Sequence, residues 1–172
     1  VCVTLISSFL LSCSSGDVTD ADVVAQLDSV EAVVESEPQR ALEILSSIDR
    51  GDIRCEECMA RYALLYSEVC YYNRIFVDVD SLSHVAVKYY SDRDMYNELA
   101  RAHFQQGYVM YNAHKHPEAM VSFMDAEEAL AKCDNQRLRG VVYRTKGDIY
   151  HHGGLYQNSY KSYEKAYQCF ES

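Results

Sequence analysis

Seven cysteines and six histidines are the residues of this 172-residue chain best suited to chemistry. Cys55-Glu56-Glu57-Cys58 is a CxxC pair. Such a pair serves dithiol redox exchange or supplies half of a zinc site. The chain has no second CxxC, and no strand pattern accompanies this one. The two glutamates between the sulfurs raise a thiol pKa and so disfavour the thiolate. The expectation is packed structural thiols, with a Cys55–Cys58 disulfide or a metal site as the alternatives. Cys70, Cys133 and Cys169 fall at helix positions that suit small buried side chains. His114 and His116 share one turn, and His151-His152 share another. Imidazoles gathered on one edge would suit zinc or a pH-sensitive contact. Helical register spreads these over different faces, so exposed turn histidines are expected instead. Glu56-Glu57 and Glu127-Glu128 are neighbours on a helix, diverge by about 100°, and do not converge on a substrate. No nucleophile elbow, phosphate loop, metalloprotease helix or dinucleotide fingerprint occurs. The chain is therefore expected to have no catalytic residue, no metal and no cofactor.

The elements that must position any site are written in a repeated spacing. Gly107, Ala119, Phe123 and Ala126 recur 40 residues later as Gly147, Ser159, Tyr163 and Ala166. A small residue, a second small residue twelve on, an aromatic four further and an alanine three further describe two antiparallel helices meeting at small side chains. Two prolines, Pro38 and Pro117, and few glycines fit an all-helical chain. Upstream, Asp20 or Asp22 is expected to cap a first helix carrying Val23, Val24, Leu27, Val30 and Val34 at helical spacing. Pro38 suits the first turn of a second helix, with Ala41, Leu45 and Ile48 on its apolar face. Gly51 is expected to stop that helix. Arg50-Gly51-Asp52 also spells an adhesion tripeptide, a match common by chance. The next pair runs from Cys55 to Asn73 and, after an Asp80-Ser81 cap, through Leu82, Val85, Ala86, Tyr89 and Tyr90. Ser91-Asp92 is expected to cap the third pair, which turns at His116-Pro117. Gly153-Gly154 breaks the fourth, which ends near Phe170.

This pattern resembles the tetratricopeptide repeat, a helix–turn–helix unit of about 34 residues. The second copy carries it as Tyr143, Gly147, Tyr150, Ser159, Tyr163 and Ala166. The first carries it as Gly107, Met110, Ala119, Phe123 and Ala126. The leucine of the family pattern is Gln106 in one copy and Lys146 in the other, and the aromatic that opens the unit is His103 in the first. The resemblance implies an all-α, right-handed superhelix of about four antiparallel helix hairpins over residues 22–172, a TPR-like α-solenoid. It implies that a concave groove is lined by Arg101, Phe104, Tyr108 and Tyr111 in the third pair. Val141, Arg144, Asp148 and His151 line it in the fourth, and Arg61, Leu64, Glu68 and Tyr71 in the second. Tyrosine and arginine dominate binding hot spots. Arg101 and Arg144 among tyrosines would take the carboxylates of an extended peptide or a helix. Family members that clamp a C-terminal carboxylate use lysine and asparagine at the sites of Phe104 and Tyr108, so that ligand is not expected. The alternative is that these rings pack on the next repeat.

The start of the chain, VCVTLISSFLLS, is an uncharged apolar run, too short to span a bilayer as a helix. It fits the apolar core of a secretory signal over residues 1–12, with the methionine and basic region expected upstream. Leu10-Leu11-Ser12-Cys13 resembles a bacterial lipobox, which implies cleavage before Cys13 and its lipidation. Two or three acyl chains anchor stably where one does not. Residues 13–21 would form the lipidated cysteine and a flexible acidic tether. The expected location is the cell envelope, as an outer-membrane lipoprotein. The formal charge of −10 argues against a nucleic-acid partner, which wants a basic face. Tyr160, Tyr163, Tyr167 and Phe170 leave the last helix apolar on more than one side, so a longer chain is expected. The function expected is a membrane-tethered scaffold that binds a protein or peptide, the sensory or assembly part of a larger envelope protein. The alternative is a nutrient- or glycan-binding lipoprotein component.

Overall fold

The computed structural model describes residues 19–76 and 82–172. Cys13, the signal run and most of the tether lie outside the described residues. So does the expected Asp80-Ser81 cap. Among the described residues there are eight α-helices and no strand. They are α1 (Asp20–Val33), α2 (Pro38–Ser46), α3 (Glu56–Tyr72) and α4 (Ser83–Ser91). They continue as α5 (Tyr96–Asn112), α6 (His116–Leu130), α7 (Gln136–His152) and α8 (Tyr156–Glu171). Successive helices pack against one another, most extensively α5 on α6 and α7 on α8. The expected all-α stack of hairpins is what forms. Among the described residues no helix is long and apolar enough to cross a membrane.

Local chemistry sets each boundary. Thr19, one position before the expected aspartates, caps α1. Its hydroxyl accepts from the Asp22 amide at 3.3 Å, and the Asp22 carboxylate accepts from the Thr19 amide at 2.9 Å. This reciprocal pair satisfies two of the amides that a helix start leaves bare. Pro38 opens α2, where its missing N–H costs nothing. Gly51 does not stop that helix, which already ends at Ser46. It sits in a short 3-10 turn (Arg50–Asp52), held by its amide donating to Asp49 at 2.8 Å. Ser91 ends α4 rather than capping the next helix. The chain then turns through Asp94 at φ 56° and enters α5 from Met95. Gly154, at φ 72°, takes the left-handed conformation that ends α7 without a Cβ penalty.

The helices meet where the repeated spacing is small. A Cβ on Gly107 would lie 2.6 Å from the Phe123 ring, and one on Gly147 would lie 2.7 Å from the Tyr163 ring. Both glycines therefore let an aromatic of the paired helix lie flat on backbone. Ala119, Ala126, Ser159 and Ala166 are buried at the same seams. A third close approach is Gly140 against Phe170 at 2.5 Å, 40 residues after Ala100 and Leu130. Leu27, Leu65, Tyr90, Phe123, Leu130 and Val142 are fully buried, and one continuous core runs from α1 to α7.

The favoured reading of Cys55 and Cys58 as thiols is corrected. They form a disulfide at the start of α3. Cys55 is the helix cap, and its sulfur accepts from the Cys58 amide at 2.9 Å. The structural reason lies in the cap itself. The first turn of a helix brings residues three apart onto one face. Cys133 and Cys169 are free and half-buried, and Cys70 is buried.

Candidate functional site

The first helices of the four hairpins, α1, α3, α5 and α7, together line a groove of about 610 Å³. That volume falls within the range of about 300–1,000 Å³ typical of ligand clefts. Its floor is apolar, from Val34, Phe104, Leu138 and Val141, and its walls are charged.

One wall belongs to α1. Asp28 and Glu31 fall three apart on one face of that helix, about 100° round from its buried Val23, Leu27 and Val30, and Glu35 follows four further on, just past the helix end. Arginines from the other three helices reach toward this face. Arg61 of α3 donates to Asp28 at 2.6 Å and to Glu31 at 3.1 Å. Arg101 of α5 donates from Nε and a terminal nitrogen to both oxygens of Glu68, at 2.8 and 2.7 Å. Its other terminal nitrogen donates to Glu31 at 2.9 Å. Arg137 of α7 pairs with Glu35, which also accepts from the Tyr72 hydroxyl at 2.8 Å. The first and last hairpins are thus joined across the groove.

Burial and pairing pull these groups in opposite directions. Burial pushes Glu31 up, but the Arg101 and Arg61 guanidiniums outweigh it and hold the carboxyl below its ordinary value. Glu35 behaves likewise, with Arg137 and the Tyr72 hydroxyl opposing its burial. Burial would lower Arg101, yet Glu68 and Glu31 hold it well above its ordinary value, so it is a fixed cation. Burial raises the Tyr71 hydroxyl, and the nearby Arg144 guanidinium opposes that rise.

The structure gathers Arg101, Phe104, Val141 and Arg144 around the groove, together with Glu68 and Tyr71. It changes what two of them have to offer. Arg101 is already met by two carboxylates and is not the open anchor expected of it. Phe104 is 2% exposed and packs on Tyr71, Tyr108 and Phe123, so it is floor rather than contact surface. The remaining expected residues stand elsewhere. Tyr108 lies edge-on to Tyr71 with centroids 4.6 Å apart, beside a separate small crevice. Tyr111 stacks edge-on to His116. Asp148 accepts from the Tyr163 hydroxyl at 2.7 Å, inside the last hairpin. His151 is exposed in the turn against Tyr156. Arg61 and Leu64 line a neighbouring cleft of about 160 Å³.

Arg137, Glu31, Glu35 and the amides of Asn97 and Asn135 complete the groove without having been singled out from the sequence. Asn135 donates to Asn97 at 2.8 Å while its oxygen caps α7. The acidic face of α1 was the available signal, since Asp28 and Glu31 share one helical face and Glu35 follows four further on. Among the described residues no group of three histidine, cysteine or carboxylate side chains is placed to hold a metal.

Fold and groove together define a stack of helix hairpins around a charged, apolar-floored inner trough. No protein-family model matches the chain, and no curated protein matches it. Among solved structures it is similar to one titled MamA MSR-1 C2, at 17% identity over 88% of this chain and 98% of that one, with a TM-score of 0.40.

Proposed function

We propose that this chain is a binding scaffold whose inner groove takes an acidic segment of a protein partner without transforming it. One observation carries the reading. Of the arginines that line the groove, Arg101 and Arg137 each have a carboxylate, whereas Arg144 faces it beside the Tyr71 hydroxyl with no carboxylate among the described residues. A guanidinium beside an apolar floor of Leu138 and Val141 suits a ligand with a carboxylate next to an aliphatic side chain. The overall charge of −10 disfavours long polyanions. The ligand is therefore a short acidic stretch rather than a nucleic-acid strand. In the same reading Cys13 carries lipid, and the scaffold serves at the cell envelope as the sensory or assembly part of a larger protein. Calorimetric titration with a peptide of alternating glutamate and leucine tests the groove. Binding is expected for the native chain and should be lost in Arg144→Glu with the melting temperature unchanged. Equal binding by that variant would refute the anchor.

A further inference from the structure

The disulfide at the start of α3 has no evident work to do as a brace. Cys55 and Cys58 are three residues apart and both belong to the same helix start, so their bond joins nothing that the helix does not already hold. A ring this small also removes little freedom from the unfolded chain.

Its two sulfurs are unlike each other. Cys58 is buried, at 3% exposure, beneath the first turn. Cys55 is the cap residue and is only half-buried. Its sulfur already accepts from the Cys58 amide at 2.9 Å. In the reduced pair a Cys55 thiolate would keep that amide and the positive end of a 17-residue helix. Cys55 is thus the more open residue of the two, with its sulfur met by a helix-start amide, and Cys58 is sheltered and one bond away. The intervening glutamates oppose the thiolate, and Arg93 partly offsets this through its pairing with Glu56 at 3.3 Å.

We infer that Cys55 and Cys58 form a thiol–disulfide exchange site, with Cys55 as the exchanging sulfur and Cys58 as the resolving one. The substrate class is a disulfide, and the electrons come from a dithiol reductant. In the reduced state the Cys55 thiolate attacks one sulfur of the substrate disulfide. A mixed disulfide forms and one substrate thiolate leaves. The Cys58 sulfur, deprotonated as it attacks, then displaces the second substrate thiolate from Cys55 and restores the intramolecular bond. The substrate gains two electrons and two protons, and the cysteine pair loses them. A dithiol such as dithiothreitol reverses the change in the pair and is itself oxidised to a cyclic disulfide. This chemistry lies at the opposite end of α3 from Tyr71 and Tyr72 of the groove and is independent of groove binding.

The test uses the purified chain, with dithiothreitol as reductant and oxidised glutathione as substrate. Alkylation mapped by mass spectrometry should show Cys55 and Cys58 reduced and reoxidised while helicity measured by circular dichroism stays constant. In Cys58→Ser, glutathione should lodge on Cys55 at least about tenfold faster than on Cys133, which has no helix-start amide. Cys55→Ser should leave the sheltered Cys58 unmodified on that timescale. Reduction only with loss of helicity would overturn the inference. So would a Cys55 no faster than Cys133.

Discussion

At Gly107 the hydrogen side chain leaves room for the Phe123 ring, which is itself fully buried and has nowhere to retreat. Gly107→Ala should therefore cost about 1–3 kcal/mol of overpacking. Gly140 makes an equally close approach to Phe170, but that ring is 49% exposed on the last helix and can swing outward. Gly140→Ala should cost less than about 1 kcal/mol, and paired thermal melts distinguish the two. A larger loss at Gly140 would mean the terminal ring is held more firmly than its exposure implies. Arginines divide in the same way. Arg101→Ala strands Glu68, whose side chain is 8% exposed, and should cost about 3–5 kcal/mol. Arg137→Ala removes a pair whose partners are 67% and 47% exposed, and should cost under about 1 kcal/mol. Denaturant titration of the two variants measures both. Gly107 and Gly147 were legible because a small residue twelve before another is written twice. Gly140 and Phe170 fall 40 residues after Ala100 and Leu130, but an alanine–leucine pair does not announce a glycine–ring contact, so that approach was not read from the spacing. The commitment of Arg101 was illegible for another reason. Its carboxylates lie 33 and 70 residues away, and sequence gives no measure of that approach.

The first helix behaves as part of the groove rather than as a plain end cap. Its valines enter the core while Asp28 and Glu31 dock on arginines from α3 and α5. This predicts an acid-sensitive element. Glu31 and Glu35 ionise below their ordinary value of 4.5 when folded, so the unfolded chain binds more protons in that range. Their contribution is present above about pH 4.5 and falls away as pH drops through the folded values. His103 adds to the same slope. Burial lowers it from 6.5, despite opposing help from Asp125 and Gln106, so stability begins to fall once pH drops below about 6.5. Melting temperature measured from pH 8 to pH 3 should decline in two stages, the lower one weakened in Glu31→Gln. A flat profile would contradict the pairing. At the other end, α8 repeats the register of α6. Phe123 and Leu130 are fully buried and Met120 is half-buried, while Tyr160, Tyr163 and Phe170 stand in the equivalent places 38–68% exposed. Those exposed tyrosines were readable from the sequence as a face without a cover. The boundaries were less so, because Thr19 and Met95 displaced better-looking caps through local turn geometry.

Across the whole molecule, four hairpins bring residues from α1, α3, α5 and α7 around one trough, and ion pairs tie its first wall to its last. The repeated spacing foretold the stack. It did not foretell that Arg101 and Arg137 would be paired internally while Arg144 meets no carboxylate among the described residues, because charge pairing across the trough depends on superhelical curvature. The proposed tether is tested separately: Cys13→Ala should move the full-length protein from the membrane to the soluble fraction, and continued membrane association would refute lipidation. The groove itself is most directly tested by hydrogen–deuterium exchange with and without the glutamate–leucine peptide. Occupancy of the trough predicts slowed exchange in α5 around Arg101–Gln105 and in α7 around Leu138–Arg144, with α6 and the outer face of α8 unchanged. Slowing confined to α6 or α8, with none in α5 and α7, would contradict the account.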